Sequence, residues 1–216
     1  LTVNRATVAK NGLPIKLKLL RMLTAAWSWL FLLFIIGFFE AWSWSVYDRT
    51  FFGNLYNLQS VLLTATQILM MALGLTFIII SAGIDLSIGF IAGLAAVTMA
   101  VVIRALPDLH PALSFTLGVT AGIGIALIPG IINGWLIARM KVPSFIGTLG
   151  MFGVTRGMAF LIAGGATVSI RNSVARDFGN GKVFDIIPIP VLVAIVITLI
   201  FHYLLAHTRF GLYTYA

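Results

Sequence analysis

Six long apolar runs, separated by short polar interruptions, organise this chain. A helix that crosses a bilayer takes about 20 predominantly apolar residues. The runs predict spanning helices over residues 23–44, 58–82, 86–103, 112–138, 144–163 and 188–207. Strands of a membrane barrel would alternate apolar and polar residues. These runs are continuous, so the pattern predicts helices. The interruption between the second and third runs is the shortest and the most informative. It reads Ser-Ala-Gly-Ile-Asp-Leu-Ser-Ile-Gly over residues 81–89. Residues 50–84 carry no charged side chain and residues 86–103 carry none, so Asp85 stands alone between two apolar stretches. An acid at such a place is costly in or near lipid and calls for a structural or functional partner.

Composition supports lipid as the solvent. The chain is 60% hydrophobic and 9% charged, where soluble domains run nearer a quarter charged, and its mean hydropathy is +1.07. The backbone must then satisfy its own hydrogen bonds, which predicts an all-α, polytopic transmembrane helix bundle. Residues 1–22 read as a cytoplasmic basic segment and residues 23–216 as one transmembrane domain. The chain has no cysteine, which excludes disulfides, thiolate zinc sites and cysteine-ligated clusters.

The net charge of +8 would suggest nucleic acid on a soluble chain. Here Arg5, Lys10, Lys16, Lys18 and Arg21 all precede the first apolar run, as a positive-inside flank does, and no nucleic-acid partner is expected. With the N-terminus inside, Arg139, Lys141 and Arg209 also fall inside. Arg49, Arg104, Arg171, Arg176 and Lys182 fall outside, and Arg156 lies in a span. The balance of eight against five, with one in the membrane, accounts for all 14 basic residues and predicts a cytoplasmic N-terminus. Trp27, Trp29, Trp42, Trp44 and Tyr47 flank the first span as interfacial anchors. The longest connection, 164–187, faces outward on this count. It carries Gly164-Gly165, Asn172 and a turn at Gly179-Asn180-Gly181, and reads as either a connector or a docking surface.

Candidate chemistry is sparse. Asp85 and Ser87 either cap the third helix or line a path at the break. Pro129 predicts a kink in the fourth helix, because it cannot bond to the carbonyl of Ile125. Asn133, one turn on, is placed to bond to a neighbouring helix. Arg156 lies 12 residues past Ser144, roughly 18 Å along a helix, where it would snorkel, pair inside the bundle or contact substrate. The path reading gathers Gly83, Asp85, Ser87, Gly89, Asn133 and Arg156. Gly89/Gly93, Gly118/Gly122, Gly130/Gly134 and Gly153/Gly157 are small-xxx-small pairs, expected to pack helices closely or to form sliding surfaces. None of the five lysines is followed by serine or threonine, so there is no P-loop. No metal site, cofactor or run of membrane carboxylates is expected. Any active transport must draw its energy from a partner.

Three blocks resemble one family. The first is Gly74-Leu-Thr-Phe-Ile-Ile-Ile-Ser-Ala-Gly-Ile-Asp-Leu-Ser-Ile-Gly89. The second is Pro129-Gly-Ile-Ile-Asn-Gly-Trp-Leu-Ile-Ala-Arg139 with Val142-Pro-Ser-Phe-Ile-Gly-Thr-Leu-Gly150 and Arg156-Gly157. The third is His207-Thr-Arg-Phe-Gly-Leu-Tyr-Thr-Tyr-Ala216. Together they resemble the inner-membrane permeases of bacterial sugar ABC importers of the ribose/xylose/galactoside type. The resemblance implies a permease of about ten helices, of which this chain would hold six and be incomplete at its C-terminus. It implies a monosaccharide or polyol substrate, passage without catalysis, cytoplasmic ATP-binding-cassette subunits, a periplasmic sugar-binding protein and a second permease copy. It also implies that Arg209, Gly211, Tyr213 and Tyr215 lead into the element that couples to the ATPase. An ion- or proton-driven secondary transporter and a non-transporting structural membrane subunit stand as alternatives.

Overall fold

The computed structural model describes residues 15–215. Arg5, Lys10 and Ala216, and with them most of the expected basic segment, lie outside the described residues. The described residues are all-α apart from one hairpin of two two-residue strands. The elements are α1 (Ile15–Tyr47), α2 (Leu55–Ile80), α3 (Ile88–Ala105), α4 (Pro111–Ala138), α5 (Ser144–Ala163), α6 (Ser173–Asn180), β1 (Lys182–Val183), β2 (Ile187–Pro188), α7 (Ile189–His207) and α8 (Arg209–Tyr215). Among the described residues six helices are long and apolar enough to cross a membrane, and all six coincide with the expected spans to within a few residues at their ends. The molecule is a polytopic transmembrane helix bundle.

Residues up to Leu58 and residues from Gln59 on form two compact units. In the first, Glu40 accounts for its own presence in an apolar helix. Its carboxylate accepts from the Thr50 hydroxyl and from the amides of Phe51 and Phe52, both at 2.9 Å. The Ser43 hydroxyl donates to the Arg49 carbonyl at 2.7 Å. Backbone donors that leave a helix in lipid must find acceptors, and here an acid about two turns from the end of α1 supplies them.

In the second unit α3 lies against α4 and α5. The α3–α4 contact depends on two glycines. A Cβ at Gly118 would lie 2.6 Å from Ile103 Cγ1, and one at Gly122 would lie 2.8 Å from the Ala95 carbonyl oxygen. Across α3 and α5, Phe90 and Phe152 meet edge to face at 4.4 Å, and Leu94, Met151 and Thr155 are buried. Fully buried large apolar side chains are few, and the outward surface is rich in leucine, isoleucine and phenylalanine. That inversion suits helices whose solvent is hydrocarbon, where small residues and close packing draw helices together. Phe77 on α2 meets Phe201 on α7 at 5.4 Å and Phe210 on α8 at 5.5 Å.

Helix α4 runs unbroken from Pro111 to Ala138 with Pro129 inside it. The 164–187 connection is more structured than a connector. Gly164 and Gly165 take left-handed conformations that end α5. Asn172 caps α6, its Oδ1 accepting from the Ala175 amide, while its Nδ2 donates to the Pro111 carbonyl and to Ser114 Oγ, both at 2.9 Å. Gly179 and Asn180 belong to the end of α6 and Gly181 is extended, which corrects the turn expected there. Buried Gln59 fastens the hairpin to α2: its Nε2 donates to the carbonyls of Asp185 and Ile186, and its Oε1 accepts from Lys182 Nζ at 2.6 Å.

Candidate functional site

The break between α2 and α3 is built from backbone upward. Helix α2 ends in a left-handed residue, but that residue is Ala82, at φ 57°. The next amide, Gly83 N–H, bonds back to the Ile78 carbonyl at 2.8 Å, which closes the helix end as a Schellman-type turn does. Gly83 is needed for a different reason, since a Cβ there would sit 2.9 Å from Ile78 Cγ2 and 3.1 Å from the Ile78 carbonyl oxygen.

Beyond that turn, Ile84 has both backbone groups satisfied by α5. Its N–H donates to Ser144 Oγ at 3.1 Å, and its carbonyl accepts from Thr148 Oγ1 at 3.2 Å. Ser144 and Thr148 are four residues apart, so they share one face of the helix that Pro143 opens. Asp85 Oδ1 accepts from the Ser87 amide at 2.7 Å and from the Ser87 hydroxyl at 2.6 Å. Ser87 is fully buried and occupies the N-cap position of α3, yet its side chain makes no capping bond. The capping expectation is thus corrected: the carboxylate binds the cap residue itself rather than the open amides of the helix.

This arrangement fixes the neighbouring amide. Having given its one proton to Asp85, Ser87 Oγ can only accept, and it accepts from Asn133 Nδ2 at 3.1 Å. Asn133 is 5% exposed, and its Oδ1 is buried with no hydrogen-bond partner. Side-chain hydrogen bonds therefore tie the break to both α4 and α5.

These groups border a cavity of about 500 Å³, within the range of small-molecule sites. Its walls include Phe77 from α2, Gly83 and Asp85 from the break, Asn133 from α4, Ser144 from α5 and Tyr213 from α8. Gly130 and Gly134 line it on α4. A Cβ on either would meet nothing within 4 Å, so their lack of a side chain widens the cavity.

Of the residues expected to share a path, Gly83, Asp85, Ser87 and Asn133 come together here. Arg156 does not. It lies exposed in a separate groove between α3 and α5, beside Phe90, Gly93, Gly153 and Gly157, with its guanidinium carbon 5.6 Å from the centre of the Phe90 ring. Spacing along α5 carried no information on which way it faces. Gly89 borders neither hollow and meets nothing within 4 Å. Close packing within this chain falls to Gly118 and Gly122 alone among the paired glycines; Gly93, Gly130, Gly134, Gly153 and Gly157 have open space where a Cβ would stand. In the third block, Gly211 is buried at the α7–α8 corner, where a Cβ would collide with the Leu205 carbonyl. Sequence reasoning missed Ser144, Thr148 and Thr214 as cavity residues. The available signal was the pairing of Ser144 and Thr148 at helical spacing just after Val142-Pro143.

The family model described as "branched-chain amino acid transport system / permease component" matches residues 57–216, well over half of the chain. Among curated proteins, the galactofuranose transporter permease protein YtfT of Escherichia coli K12 is 29% identical over 172 residues, covering 80% of this chain and 48% of that protein. The autoinducer 2 import system permease protein LsrC of Yersinia enterocolitica is 31% identical over 171 residues, covering 79% of this chain and 45% of that protein. Its counterpart in Yersinia pseudotuberculosis serotype O:1b is 30% identical, with coverages of 79% and 46%. The chain spans about half the length of the curated relatives it matches. No solved structure matches it.

Proposed function

The chain belongs to the branched-chain amino acid transport system / permease component family, and from that membership we propose that it is the permease subunit of an ATP-driven, binding-protein-dependent importer of a monosaccharide or related polyol. The observation that carries the substrate class is the cavity at the helix break. A carboxylate, Asp85, lines it, and no lysine, arginine or histidine does among the described residues. An amino acid could set its ammonium against Asp85, but its own carboxylate would find no basic partner in this wall. A neutral, hydroxyl-rich solute meets no such penalty. The relatives named for galactofuranose and autoinducer 2 support the same preference. The amino-acid reading remains as the second, because the family's description names it.

In this proposal the protein sits in a bacterial inner membrane with its N-terminus in the cytoplasm, binds no cofactor and catalyses no reaction. ATP is hydrolysed by separate cassette subunits, a periplasmic binding protein delivers the solute, and a second permease copy completes the pathway. Helix α8 leads toward the ATPase. Arg209, Tyr213 and Tyr215 are exposed on it, while buried Gly211 holds it against the end of α7. Single cysteines in this cysteine-free chain test orientation and contact together. In intact cells a cysteine at Asn180 is expected to react with an impermeant thiol reagent. One at Tyr215 is expected to react only after permeabilisation, and to cross-link to the cassette subunit when the full-length permease is co-expressed with it. The reverse labelling pattern would invert the topology.

A further inference from the structure

We propose that the cavity at the helix break is a hydroxyl-binding release site with α8 as one of its walls, so that solute affinity depends on where α8 lies; this rests on the importer reading above. Three groups carry the proposal. Asp85 uses Oδ1 on Ser87, and its Oδ2 has no protein partner among the described residues. Ser144 Oγ accepts from the Ile84 amide, so its own proton is free to be donated. Tyr213 borders the same cavity from α8, and its phenol has no protein partner among the described residues. One strong acceptor, one donor and one group that does both are what a vicinal diol requires, since each hydroxyl donates once and accepts through its lone pairs. Phe77 and Phe210 add aromatic walls on which the apolar face of a sugar ring can rest.

The role of α8 follows from its attachment. It is joined to α7 through a single residue, Thr208, whose hydroxyl donates to the Leu204 carbonyl and lies 3.4 Å from the Gly211 amide. Phe210 docks it on Phe77. Withdrawal of α8 removes the Tyr213 phenol and the Phe210 wall at once, leaving Asp85 and Ser144 in place on the break and α5. The element nearest the expected ATPase contact therefore completes the site when docked and dismantles it when displaced.

The test uses the full-length permease with its cassette subunits in nanodiscs and measures binding of tritiated D-galactose and D-ribose. Asp85→Asn is the cleanest variant, because Asn keeps an oxygen for Ser87 while it removes the charge and turns Oδ2 from an acceptor into a donor. Wild-type complex is expected to bind at least one of the two sugars. Asp85→Asn and Ser144→Ala are each expected to weaken that binding about tenfold, as loss of a hydrogen bond to a charged or fully desolvated partner does. Tyr213→Phe is expected to weaken it about threefold, for a weaker neutral bond. Binding of neither sugar by the wild type, or equal affinity in all three variants, would overturn the release site. The importer reading is checked separately, by whether the loaded binding protein stimulates ATP hydrolysis in the wild-type complex. Stimulation with unchanged sugar affinities sinks only the release site, whereas absent stimulation sinks the importer reading itself.

Discussion

Replacing Gly122 with leucine is expected to remove nearly all folded protein from the membrane, while the same change at Gly124, two residues on, is expected to leave the protein level near wild type. The physical difference lies in what each position faces. A Cβ at Gly122 would stand 2.8 Å from the backbone oxygen of Ala95, and no rotamer relieves a clash that begins at Cβ. The helices α3 and α4 would have to part, which also displaces Ile103 and Met99 from Gly118. Overpacking of a tight core costs about 1–3 kcal/mol, occasionally more, and here the obstacle is backbone rather than a flexible side chain. At Gly124 nothing lies within 4 Å, so a leucine there extends into open space. The yield of monodisperse protein in detergent, followed by fluorescence-detected size exclusion, reads the contrast. Equal yields from the two variants would show that the α3–α4 seam is not the close contact described.

The second large effect is expected at Asp85, where leucine and asparagine separate structural from chemical roles. Asp85→Leu removes the acceptor for both the amide and the hydroxyl of Ser87, a residue with no exposure at all. Leaving buried donors unsatisfied costs about 1–3 kcal/mol each, so the break loses its anchor to α3 and, through Ser87, to Asn133. Asp85→Asn retains an oxygen in the same place and is expected to keep a protein level close to wild type. Thermal unfolding of the purified variants is the measurement. Equal melting temperatures for Leu and Asn would remove the Asp85–Ser87 pair from the account of the break.

How much of this was legible beforehand varies with the physics involved. The six spans were legible because bilayer thickness sets a length and hydrocarbon enforces composition over every residue of it; the ends differ only where caps and turns decide them. The break was legible because Asp85 has no charged neighbour in sequence for many residues on either side. Its construction was not. That Ala82 rather than Gly83 turns left-handed has no signature in the sequence, and neither does the crowding by Ile78 that holds position 83 to glycine. The four glycine pairs looked alike in sequence, yet only Gly118 and Gly122 meet another helix, because spacing fixes a shared face without saying what covers it. Arg156 shows the same limit, since its position along α5 does not say which groove it faces. Ser144 and Thr148 were passed over because hydroxyls in apolar helices usually bond back to their own turn. Thr148 does so with the Ser144 carbonyl, and still reaches Ile84. The hairpin at 182–188 and α6 were invisible because elements so short leave no periodicity to read.

The central claim is that solute crosses this permease on energy supplied by partner subunits. Uptake of radiolabelled sugar into proteoliposomes tests it most directly, with the full-length permease reconstituted alongside its cassette subunits, and with the sugar-loaded binding protein and ATP supplied on their respective sides. The account predicts accumulation that stops when either ATP or the binding protein is left out and that is indifferent to a sodium or proton gradient. Accumulation by the permease alone under an ion gradient, without ATP, would contradict it.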